Sequence, residues 1–141
     1  MNRLASICLL LSTSLATGQT STLHQIQMIP LNVQGRIDHF SFDLKTHRLF
    51  VCALGNNTCE VVDADAGKVI DSIKGMSDPQ GVRHLPKPNR LVIANAVDGS
   101  VRIYDAASLQ SLHQIDLKND ADNVRHDSNP GFGWRKINKI S

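Results

Sequence analysis

A displacement of 42 residues carries this chain onto itself. Arg48-Leu49-Phe50-Val51 returns as Arg90-Leu91-Val92-Ile93, and Glu60-Val61-Val62-Asp63 as Arg102-Ile103-Tyr104-Asp105. The same step takes Val69-Ile70-Asp71-Ser72-Ile73 onto Ser111-Leu112-His113-Gln114-Ile115, and Gly81-Val82-Arg83-His84 onto Asn123-Val124-Arg125-His126. Segments that share one register over such a distance mark copies of a single supersecondary unit. Upstream, Arg36-Ile37-Asp38-His39 matches the stretch from Gln80 to His84 more loosely, with three extra residues before Arg48.

Each unit reads as four short strands. In the first these are Ile37 to Phe42, Leu49 to Leu54, Thr58 to Asp63 and Val69 to Ile73, all apolar or β-branched and separated by Gly, Asn and Asp turns. Asp98-Gly99 predicts a two-residue type I′ hairpin, with Asn56-Asn57 in the same place one unit earlier. Four strands per unit predict an all-β fold, a β-propeller of four-stranded blades: about two full blades plus parts of flanking ones, an incomplete ring. A β-sandwich is the competing architecture, but it gives no reason for a fixed repeat.

The run Arg48 to Val51, a Gly/Asn turn, Val61-Val62-Asp63 and Gly67-Lys68-Val69-Ile70 resembles the YVTN-type β-propeller repeat of exported YncE-like and surface-layer-like proteins. Asp78-Pro79-Gln80-Gly81-Val82, Asn89 to Asn95 and Asp98-Gly99-Ser100-Val101 continue the resemblance, which spans about Gly35 to His126. It implies a seven-bladed ring in full-length members and no particular reaction.

The ends of the chain differ from its middle. Residues 1–18 look like a signal peptide: Arg3, an apolar stretch from Leu4 to Ala16, then a cleavage site after Gly18 or after Ala16. That stretch is too short to cross a bilayer core of roughly 30 Å as a helix; a buried N-terminal helix is the alternative. Residues 19–34 form an N-terminal segment with an expected outer strand from Leu23 to Ile29, followed by repeat one over 35–79 and repeat two over 80–121. A third repeat starts over 122–126, and 127–141 is a tail without repeat character, whose Trp134 has no assigned role. Two units cannot enclose an axis. The chain therefore reads as a fragment of a larger propeller, as a short piece that self-associates to complete the ring, or as a truncated product without independent function.

Net charge is +2, with acidic and basic residues interspersed, so neither a nucleic-acid partner nor a membrane surface is expected. His39, His84 and His126 are read as equivalent positions on first strands, facing a common axis together with Asp38, Arg83 and Arg125. Such a set suits a small anionic or polar ligand at the channel, while the histidines alone are candidate metal ligands. Inter-blade packing and salt bridges explain the same residues without any ligand. Cys52 and Cys59 flank a hairpin and share a face; the repeat favours a diagonal placement. Their counterparts Ala94 and Val101 favour free, buried thiols over a disulfide. No catalytic constellation and no cofactor motif is recognised. The expected role is a binding or scaffold module of the cell envelope, periplasmic or extracellular, that engages a protein, glycan or small ligand. The alternative is a fragment of a metal- or quinone-dependent oxidoreductase.

Overall fold

The structure is a computed structural model and describes residues 23–126; the expected signal peptide and the tail with Trp134 lie outside the described residues. Two four-stranded antiparallel sheets follow one another along the chain. The first holds β1 (Ile37–Asp43), β2 (Arg48–Ala53), β3 (Thr58–Asp63) and β4 (Lys68–Ile73). The second holds β5 (Pro79–Leu85), β6 (Arg90–Asn95), β7 (Ser100–Asp105) and β8 (Ser111–Asp116). Each sheet is an up-and-down meander, which is one propeller blade.

Why the inner strands are apolar on both sides follows from how the blades stack. Phe50, Cys52, Cys59, Val61, Ile73 and Met76 of the first blade meet Val82, Leu91, Ile93, Tyr104 and Ala106 of the second in one core. β5 packs against both β1 and β2, so the blades converge at their first strands. The last strands are edges: every residue of β8 is exposed, and β4 buries only Ile73. Their lysine, aspartate, histidine and glutamine side chains keep those edges polar, as unpaired strands require.

Strand pairing corrects the repeat near its start. Ile37 and Pro79 pair with Ala53 and Asn95, and Phe40 and Val82 pair with Val51 and Ile93, with an irregularity just after the first residue in both inner strands. The 42-residue step therefore holds from Ile37 onward, with no three-residue insertion. It aligns Phe42, not His39, with His84. The resemblance of two short Asp/Arg-His stretches misled, because hydrogen-bond register and a shared bulge decide equivalence. Pro79, placed at the close of the first unit, opens β5.

The hairpin turns also differ from expectation. Ala53 pairs with Thr58 across four residues, of which Leu54–Asn56 form a 3-10 turn and Asn57 takes φ 53°. In the second blade only Gly99, at φ 63°, occupies the left-handed region; Asp98 does not, so neither turn is a two-residue type I′. One left-handed residue after a 3-10 turn suffices to reverse the chain, and Asn and Gly are the residues that adopt it cheaply. Asn57 then ties the blades together: its side-chain oxygen accepts from the Asp78 amide at 3.0 Å and its carbonyl from Met76 at 3.0 Å. Asn95, fully buried, does the same from the other side, accepting from the Ser77 amide at 3.0 Å.

The expected outer strand from Leu23 to Ile29 is absent; residues 23–36 carry no strand. The segment instead runs past the first blade's turns, where the Gln34 amide donates to Asn56 at 3.1 Å and Gly55 donates to the Arg36 carbonyl at 3.5 Å. Gly55 is obligatory there, since a Cβ would fall on the Gln34 carbonyl.

Phe50 is fully buried between the blades whereas Phe40 is 68% exposed. Phe50→Ala should destabilise by about 3–5 kcal/mol, and Phe40→Ala by no more than about 0.5 kcal/mol, measured by urea unfolding followed by circular dichroism.

Candidate functional site

Where the first strands converge, residues from successive units enclose an open cleft of about 380 Å³. Its lining is His39 of β1, Arg83 of β5, and Asn123, Val124, Arg125 and His126. The last four belong to the start of the third repeat. They form no strand, yet they lie against β5 closely enough that a Cβ on Gly81 would sit 3.0 Å from Asn123 Cα and from the Asp122 carbonyl oxygen. Glycine within a strand marks such a close approach. It was the available signal for Asn123 and Val124, which sequence reasoning did not single out.

Of the six residues expected at the axis, the cleft gathers four. Arg83 is the one exposed residue near the end of β5, flanked by buried Val82 and His84. Arg125 follows one repeat later and is exposed in turn. Ser41 holds the equivalent position in the first blade and is instead buried, its hydroxyl accepting from the His84 amide at 2.9 Å. His39 Nδ1 lies 3.0 Å from the Gln80 carbonyl and 3.0 Å from an Asp38 carboxylate oxygen. Both are acceptors, so Nδ1 carries the proton and Nε2 of the neutral ring is an acceptor.

Asp38 and His84 do not join. Asp38 is held by His39 and, at 3.6 Å, by Arg36, and does not line the cleft. His84 is buried between the blades, tilted against Phe50 at a ring separation of 5.9 Å, with Nε2 3.1 Å from the Asn89 side-chain oxygen. A three-histidine axial set is thus not formed, because His84 matches Phe42 and not His39 in register and its ring is packed against Phe50 instead of lining the cleft. Among the described residues no three His, Cys, Asp or Glu side chains converge as a metal site needs.

Pairing separates the cleft's arginines from the other described arginines. Arg36, Arg48, Arg90 and Arg102 each lie beside an aspartate, at 3.6, 3.8, 2.9 and 3.0 Å. Arg83 and Arg125 have no such partner among the described residues, and no carboxylate lines the cleft. Two guanidiniums, permanently charged and donor-only, therefore face solvent uncompensated.

One aspartate the sequence did not flag organises the ground beneath. Asp43 is buried and accepts from the Lys45 amide at 2.9 Å and from the Thr46 hydroxyl, with Arg48 and His84 Nδ1 each at 3.8 Å. Burial raises its pKa, but the Thr46 and Lys45 hydrogen bonds and the charge of His84 outweigh it, leaving the carboxyl below its ordinary 3.8. Asp63 and Asp105 close β3 and β7 by accepting turn amides, at 2.8 Å from Ala66 and 3.0 Å from both Ala107 and Ser108. These are structural aspartates.

No family model and no curated protein matches this chain. Solved structures do. AztD from Citrobacter koseri aligns at a TM-score of 0.58 and 16% identity, over 69% of this chain and 28% of that one. A nidogen/laminin complex aligns at 0.56 and 17%, over 65% and 35%. Hydrazine synthase of Kuenenia stuttgartiensis aligns at 0.53 and 18%, over 58% and 24%. Likeness at this identity defines the fold, and the fold is a β-propeller, with an incomplete ring. The chain spans about a quarter to a third of the length of these structures. No helix among the described residues is long and apolar enough to cross a membrane.

A lowered folded-state pKa stabilises above the unfolded value and is lost as pH falls through the folded one. The Asp43 contribution should be complete above its ordinary 3.8 and fade below it. Asp43→Asn should cost about 1.5–3 kcal/mol near neutrality and flatten the loss of stability on acidification, read from denaturant midpoints between about pH 2 and 5.

Proposed function

We propose that this chain is an exported, non-catalytic binding module of the YVTN propeller type that holds a small anion in the axial cleft. The observation that carries this is the selective lack of partners at Arg83 and Arg125, where every other described arginine is ion-paired. Guanidinium groups present forked donors that match carboxylate and phosphate oxygens, and charge-assisted bonds of that kind are about twice as strong as neutral ones. An anion between them also relieves the repulsion of two like charges. The lining combines two guanidiniums with two imidazoles and an amide, groups suited to holding an anion, and carries no carboxylate to repel one. A propeller fold also occurs in the nidogen/laminin complex, where the setting is binding. Export rests on the N-terminal sequence alone, with its single arginine, apolar core and small residues at 16 and 18.

Calorimetric titration of the full chain with phosphate and with citrate should show binding that weakens with added salt, and none with glucose. Arg83→Ala and Arg125→Ala should each lower affinity by roughly tenfold or more; unchanged affinity in both, or equal binding of glucose, sinks the anion site. Export is tested separately. On expression in a bacterium the protein should reach the periplasm beginning at Gln19 or Thr17, and an uncleaved cytoplasmic product refutes it.

A further inference from the structure

Cys52 and Cys59 take no part in the cleft. Both are fully buried in the core between the blades, and both are free thiols. They stand directly opposite each other in the β2–β3 ladder, not diagonally as the repeat had suggested. That difference decides what they can do. Opposed residues hold their Cβ atoms about 4.5–5.5 Å apart, against roughly 7–8 Å for a diagonal pair, and a disulfide spans about 3.5–4.5 Å. Only the opposed pair closes with a small movement. The neighbouring Cys52 thiol, then burial, pushes the Cys59 thiol well above its usual pKa.

Packing does not require sulfur here. The equivalent positions in the second blade, Ala94 and Val101, are also directly opposed and leave no thiol. The same backbone thus accepts two small apolar side chains, and the first blade carries two facing thiols instead.

We propose that Cys52 and Cys59 form a thiol–disulfide site that low-molecular-weight disulfides of the glutathione class oxidise. The thiolate of one cysteine attacks the oxidant's S–S bond and expels one thiol, giving a mixed disulfide. The second cysteine, as its thiolate, attacks the protein sulfur of that bond and expels the second thiol. Two electrons and two protons leave the protein pair, and one disulfide oxidant becomes two thiols. Because both sulfurs are shielded, exchange waits on opening of the hairpin end at Ala53 and Thr58, which makes the site slow to close and slow to reduce.

The test uses the full chain in glutathione buffers, acid-quenched and read by mass spectrometry of tryptic peptides. Arg48 and Lys68 bound one peptide, residues 49–68, that contains both cysteines and excludes Cys8. In excess oxidised glutathione this peptide should lose two hydrogens and regain them in excess reduced glutathione. The Cys52→Ala/Cys59→Val variant, which copies the second blade, should keep the same circular dichroism and show no such change. Refolding from denaturant in the same oxidising buffer removes any limit from burial. If the refolded peptide retains both hydrogens, or carries a glutathione on each cysteine, the proposal is overturned.

Discussion

No blade of this protein can bury its own two faces. Everything else depends on that. A four-stranded sheet with Phe50, Cys52, Cys59 and Val61 on one side gains stability only when another blade covers them, and Val82, Leu91 and Ile93 do so. The contact is strongest where the first strands converge, so the chain is led into a wedge with its inner strands near a common axis. Polar groups at this junction are all answered: among the described residues no buried side-chain nitrogen or oxygen lacks a hydrogen-bond partner. Asn57 and Asn95 hold the connection between blades from both ends, so the linker is clipped by two hairpins rather than left to packing alone.

That wedge is what makes a site. Side chains 42 residues apart in sequence occupy equivalent places, and stacking sets those places side by side. A repeat therefore delivers the same kind of group again and again to one axis, whether or not it suits its neighbour. At the position shared by Ser41, Arg83 and Arg125, the first copy is buried within the inter-blade contact while the later two carry charge to the surface. The cleft's electrostatic character comes from that substitution within a conserved geometry, not from a separate binding loop.

Strand content, blade count and the face-to-face core were legible in the sequence because they rest on apolar runs and a fixed period. Turn geometry was less so. Asp98-Gly99 and Asn56-Asn57 mark the correct reversal, but the four-residue loop depends on which residues close the ladder, and pairing decides that. The equivalence of His39 and His84 failed for the same reason: four similar letters suggested a three-residue offset, while pairing keeps the 42-residue step unbroken from Ile37. Arg83 and Arg125 were legible together because they share one repeat position, whereas His39 reaches the same cleft from a different position and was grouped with them by a mistaken equivalence. That Asp38 and His84 would be claimed by other partners was not, because Arg36, Asn89 and Phe50 reach them only in three dimensions.

The glycine at position 81 bears on more than local fit. It occupies the repeat position that His39 fills one blade earlier. The first two blades thus meet there through an imidazole that reaches the Gln80 carbonyl, while the second blade and the start of the third meet backbone to backbone. Two junctions that the repeat makes equivalent are therefore closed by different means, one by a side chain that can be exchanged for another and one by main chain that tolerates no side chain at all. Substitution at position 39 can retune its junction, whereas position 81 admits only glycine without moving the third unit.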